Sequence, residues 1–141
     1  MNPNAIDAAL YTKLSGGTAL TNLLGGTAVY QYLAPEGVDP PYVIYQRMSQ
    51  VPINVLAGVA VENAVYMVKG VTAQSGTVAG VVNAGSIAGA IDTLLQDQAL
   101  TISGYTHLHL RRESSIDYVE TDNSVRYSHR GATYRVLADP N

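Results

Sequence analysis

Two strand-like runs near the C-terminus constrain this chain more than any other feature. In the first, Tyr105, His107, His109 and Arg111 alternate with Thr106, Leu108 and Leu110, a period of two that sends successive side chains to opposite faces of a half-buried strand. The second runs from Val125 to Val136, and the stretch from Arg111 to Asp122 between them reads as a charged connector. Residues 101–141 hold five arginines and five acidic residues, against eight basic and eleven acidic residues in the whole chain. Charge is therefore concentrated where these two strands meet.

Upstream, Asn4 is placed to cap a helix running to about Leu14, with Ile6, Ala9, Leu10 and Leu14 on one apolar stripe. Ser15-Gly16-Gly17 stops it, and a shorter helix from Thr18 to Leu24 ends at Gly25-Gly26, where glycine supplies positive φ. Val29 to Leu33 reads as a strand, and Ala34 to Pro41 as a proline-rich loop. Pro41 cannot donate to a ladder, so it marks the start of a second strand, Tyr42 to Met48. A third, Glu62 to Ala73, is nearly continuous in apolar and β-branched residues, as a central strand covered on both faces requires. The connector between them, Val51 to Val61, is unusually apolar.

A longer helix is expected from Gly76 and Thr77 to about Gln96, with a stripe of Val78, Val81, Val82, Gly85, Ala88, Ile91 and Leu95. Gly80, Gly85 and Gly89 each weaken a helix by roughly 1 kcal/mol relative to Ala, which suggests that they let the helix lie close against a sheet. The order α-β-β-β-α-β-β, without alternating βαβ units, predicts an α+β fold in one domain spanning residues 1–141. Its antiparallel or mixed sheet would be packed by the N-terminal helix and the longer central one.

The chain has no cysteine, which excludes disulfides, thiolate nucleophiles and Cys-rich zinc sites. Charged residues make up 13% of it, about half the usual share, so its surface is unusually neutral, as suits a protein partly covered by other subunits. All ten aromatic residues are tyrosines, a residue that buries a large ring while keeping a polar handle for an interface. A net charge of −3 argues against gripping duplex nucleic acid from outside. No charge occurs from Gly70 through Ile91, yet the polar residues and glycines there rule against a membrane span. The N-terminus lacks a basic, then apolar secretory signal, so synthesis and assembly in the cytosol are expected.

Candidate chemistry is thin. His107 and His109 can present two imidazoles to zinc, but no third ligand stands at a recognisable spacing. Ser128, His129 and Asp122 are the residue types of a hydrolytic triad, yet neighbours on a strand face oppositely. Asp92 with Asp97, and Glu36 with Asp39, read as surface charges, and no nucleotide-binding fingerprint is present. No catalytic residue, cofactor site or metal site is assigned. Arg111 and Arg112 would not form one clamp; at least one is expected to pair with Glu113, Asp117 or Glu120, and Arg111 is also a candidate for a subunit contact.

The segments Pro41-Tyr42-Val43-Ile44-Tyr45-Gln46, Arg111-Arg112-Glu113, Asp117-Tyr118 and Tyr134-Arg135-Val136, in this order of elements, resemble the tail-completion, or tail-terminator, proteins of long-tailed bacteriophages. That resemblance covers nearly the whole chain. It implies a structural virion protein rather than an enzyme: a homo-oligomeric ring, commonly a hexamer, in the neck. Such a ring caps the tail tube protein, meets the head-tail connector or head-closure protein, and lets viral DNA pass through its lumen without specific binding. Contacts are expected from the apolar connector, at Ile53, Val55, Leu56 and Val59, and from the C-terminal hairpin, at Arg126, Tyr127, His129 and Arg130. The alternatives are a head-closure or adaptor ring of the same neck, a small metal-dependent enzyme using His107 and His109, and a monomeric binding module.

Overall fold

The computed structural model describes residues 4–74 and 79–141, and side chains at all of these except 74 and 79–83. Helix α1 spans Ala5–Ser15 and α2 Thr18–Leu24. Strand β1 is Val29–Gln31, β2 Tyr42–Val55 and β3 Gly58–Gln74. Helix α3 is Ala79–Leu95, followed by β4, Tyr105–Asp122, and β5, Val125–Pro140. The expected opening of the long helix at Gly76 and Thr77, and Val78 of its stripe, lie outside the described residues, as do the surroundings of Gly80 and the side chains of Val81 and Val82.

The sheet is mixed, in the order β1-β2-β3-β5-β4. β1 runs parallel to β2, and every other pair is antiparallel. β3 is the central strand, as expected, but it is not covered on both faces: Ala64, Tyr66 and Val68 are buried under the helices, whereas Asn63, Val65 and Met67 on the other face are only partly buried. Ala64, Tyr66 and Val68 of β3, Val43 and Tyr45 of β2, and Ala132, Tyr134 and Val136 of β5 are buried in one core with Leu10 and Leu14 of α1, Leu20 of α2 and Ile87, Ile91 and Leu95 of α3. All three helices therefore share one face of the sheet.

Local chemistry explains most element ends. Gly25 is left-handed at φ 74 and closes α2, as its sequence signalled. Asn4 does stand at the α1 N-cap, but in a helical conformation (φ −93, ψ −12), and its side chain makes no cap bond. β1 is shorter than expected because Tyr32 turns to φ 67 and takes the chain off the ladder. The charged stretch after Arg111 is not a connector: β4 continues through it to Asp122, and Asn123 and Ser124, at φ 49 and 67, form the whole turn into β5. Two successive positive φ angles match the right-handed twist of the strands they join. Likewise the apolar connector is strand on both sides, with a turn only at Leu56 and Ala57.

The buried stripe of α3 passes through Ala84, Ile87, Ile91 and Leu95, shifted from the expected Gly85 and Ala88. Closeness to the sheet comes from a strand glycine instead. A Cβ at Gly70 would lie 2.3 Å from Ile87 Cγ2, whereas Gly85 faces the Arg130 side chain and Gly89 has open space beside it.

Candidate assembly surfaces

Beyond the pair Glu62 and Ala138, β3 has no partner on its β5 side. Residues 58–61 thus pair only with β2, forming a two-stranded arm of roughly 13 Å. On this overhanging arm Ile53, Val55 and Val59 are 47%, 56% and 42% exposed, and Leu56 at the tip is fully exposed. Val51 and Met48, on the same strand, are also exposed. The sequence reading missed Met48: it is the extra residue where the pairing slips between Arg47 and Ser49, and a bulge leaves no trace in composition.

The β4–β5 tip lies at the opposite end of the sheet, level with Gln74, the last residue of β3. Arg126 is exposed there, and Tyr127 is half-buried beside Tyr42, Asp39 and Asp122. The other hairpin candidates lie further in. His129 is 6% exposed, its ring stacked on Tyr118 at 4.4 Å between centroids and its Nε2 2.6 Å from Glu120 Oε1. Burial, chiefly, holds its pKa below the usual histidine value, against the opposing pull of the Glu120 hydrogen bond. Arg130 is half-buried, with Nε 3.7 Å from Asp117 Oδ1.

Arg111 and Arg112 do find separate partners, but these come from α3 and its exit rather than from neighbouring strand acids. Arg111 Nε donates to Asp97 Oδ1 at 2.8 Å, and Arg112 Nη1 lies 3.0 Å from Asp92 Oδ2. Asp92 also accepts from Tyr134 Oη at 2.9 Å, and burial with this bond raises the Tyr134 pKa. Glu113 instead receives both Nε and Nη2 of Arg135, whose hydrogen bond holds its carboxyl below the usual carboxylate range. On the α1 side, Asp7 accepts from Tyr66 Oη and from Gln31 Nε2, with Arg47 Nη2 3.8 Å away.

The residues weighed for chemistry stay apart. Ser128 and His129 point to opposite faces, and the Ser128 hydroxyl has no hydrogen-bond partner among the described residues. His107 and His109 flank the extra residue Leu108, where the β4 pairing slips, and burial lowers the His107 pKa. Among the described residues no three His, Cys, Asp or Glu side chains are grouped as a metal ion requires, and no helix is long and apolar enough to cross a membrane.

The described residues thus form a single helical layer on one face of a long mixed sheet, with two hairpins whose tips lie at opposite ends of it. The chain belongs to the family described as Tail completion protein gp17, whose sequence model matches residues 8–139. It is thus a tail-completion protein, a structural component of the phage virion tail. Its fold is similar to that of a chain in the virion of a native gene transfer agent particle, with a TM-score of 0.79 at 20% identity over 96% of both chains. A second solved structure matches with a TM-score of 0.64 at 16% identity, again over 96% of both chains. No curated protein matches the chain.

Proposed function

We propose that this chain closes into a ring, six subunits being the number its resemblance implies, that ends the tail tube and joins it to the head connector. The observation that carries this reading is the β2–β3 arm. Ile53, Val55, Leu56 and Val59 stand uncovered on a two-stranded extension, and an apolar tip of that kind is an aggregation hazard unless another chain covers it. The arm and the charged β4–β5 tip lie at opposite ends of the sheet, so the two patches differ in place and in chemistry. A ring of identical subunits in head-to-tail contact uses two such different patches per subunit. The lumen would pass DNA without gripping it, in keeping with a net charge of −3.

The test is the double variant Leu56→Asp with Val59→Asp. Both residues lie outside the core, so the subunit is expected to fold while ring assembly and infectious particles are lost. Normal virion assembly by this variant would sink the proposal. Subunits found between the connector and a separate tail terminator would instead favour an adaptor ring.

A further inference from the structure

Lys69 is a buried ammonium with no carboxylate within ion-pair distance among the described residues. It lies on the face of the sheet away from the helices, 9% exposed. Its one hydrogen bond among the described residues runs from Nζ to Tyr118 Oη at 2.6 Å, and Nζ also lies 5.2 Å from the centroid of that ring. An ammonium has three donors, so two are left for other partners. Glu120 lines the same pocket and is hydrogen-bonded to His129, but it stands outside ion-pair distance of Lys69. Withdrawing a charge from water without a counter-charge is costly, and proteins meet that cost by pairing it.

The ammonium faces a pocket of about 270 Å³ whose lining includes Tyr32, Leu33, Ile44, Tyr118 and His129. Leu33 is 82% exposed at its rim, with Tyr32 and Tyr118 also open, while Ile44 and Val71 are buried below. Apolar and aromatic side chains around a desolvated charge are the anatomy of an interface anchor point.

We propose that this pocket is a socket in which Lys69 receives a carboxylate from a second copy of the chain. The proposal rests on the ring reading above. The same sequence carries the complement: Glu36, Asp39, Asp122 and Asp139 form no ion pair among the described residues, and the net charge is −3. In a head-to-tail contact, socket and plug are different patches of one chain. Lys13 and Arg126 also have no ion pair there, but neither is buried, so water suffices for them.

The experiment compares wild type with Lys69→Met, which keeps the apolar stem and removes the charge. Two readouts are needed: the melting temperature of the dissociated subunit, and the concentration dependence of solution mass. The socket predicts an unchanged or higher melting temperature together with at least a tenfold weaker self-association. Neutralising Glu36, Asp39, Asp122 and Asp139 one at a time then identifies the plug as the variant that matches this loss and adds nothing to it when combined with Lys69→Met. Self-association at wild-type concentration overturns the proposal. So does a melting temperature that falls in step with assembly, which would make the bond to Tyr118 purely structural, and so does intact self-association with loss only of binding to another neck protein. A wild-type chain that stays monomeric at every concentration defeats the ring reading itself, a result separate from the other three.

Discussion

The Tyr66 hydroxyl donates to the Asp7 carboxylate across 59 residues of sequence, tying the first turn of α1 to the middle of the central strand. Gln31 and Arg47 approach the same carboxylate, so one buried acid joins α1 to β1, β2 and β3. Burial first, and this bond second, push the Tyr66 pKa up, which keeps the phenol protonated as the donor. Replacing Asp7 by Ala leaves these partners without their acceptor, and the expected loss is about 3 kcal/mol in urea unfolding. Tyr66→Phe removes one bond and is expected to lose about 1.5 kcal/mol. An Asp7→Ala variant within about half a kcal/mol of wild type would show that water replaces the carboxylate at no cost.

Three glycines give a prediction with opposite signs. A Cβ at Gly131 would lie 2.0 Å from the Val68 carbonyl oxygen, and one at Gly70 2.3 Å from Ile87, which is 1% exposed. Neither neighbour is free to move away, so Gly131→Ala and Gly70→Ala are each expected to destabilise by about 1–3 kcal/mol. Gly89 sits inside α3 with nothing within 4 Å of the added atom. There Ala is expected to stabilise by about 0.5–1 kcal/mol, because it removes only the conformational cost of glycine in a helix. Thermal unfolding of the three single variants decides it, and a destabilising Gly89→Ala would mean the helix packs more tightly than this geometry allows.

What the sequence could carry was set by burial. Alternation placed β4, β5 and the start of β2, and continuous apolarity placed β3 at the centre, because those patterns follow from which face is buried. Strand length was illegible wherever burial ended. Residues 112–122 form an edge strand whose outward side chains face water, so polar residues serve there and charge helps protect the edge. The arm at 51–61 is exposed on both strands, and its apolarity therefore said nothing about a core. Bulges at Leu108 and Met48 each shift the alternation by one residue without any marker in the sequence. Of the site residues, the exposed apolar ones were legible because an uncharged run stands out. The partners of Arg111 and Arg112 were not, since they come from a helix brought alongside only by the fold.

Stability is expected to fall as the solution is made mildly acidic. His129 and His107 both have pKa values held below 6.5 in the folded chain, chiefly by burial. Below that unfolded value the unfolded chain binds the extra protons first, so the stabilising contribution of the neutral rings is complete above about pH 6.5 and lost as the pH drops toward their folded values. Melting temperature measured from pH 7.5 to 5 should decline, and His107→Gln should flatten the decline if its neutral ring is accommodated better than a charged one. Glu113 adds a separate loss at lower pH, since its pKa is depressed by Arg135 and its contribution disappears as the pH falls through that folded value. A flat profile between pH 7 and 5.5 would contradict the histidine assignment.

The β4–β5 tip separates assembly from folding more cleanly than any other part of the hairpin. Neither Arg126 nor Tyr127 makes a side-chain hydrogen bond or ion pair among the described residues, and Arg126 is exposed. Truncating exposed Arg126 should therefore leave the melting temperature of the subunit almost unchanged, and truncating half-buried Tyr127 should cost only its partial packing. His129 and Arg130 differ, because their replacement removes the stacking on Tyr118 and the packing over Gly85, mixing folding with contact. If the tip meets a neighbour or the tail tube, an anchor residue there is worth on the order of 2 kcal/mol per contact, and every subunit of a ring repeats that loss. Phage carrying Arg126→Ala with Tyr127→Ala are expected to accumulate unjoined heads and tails, or tails of uncontrolled length, scored by electron microscopy of lysates. Normal joining by that double variant, with the subunit folded, would remove this tip from the contact surface and leave the β2–β3 arm to carry it alone.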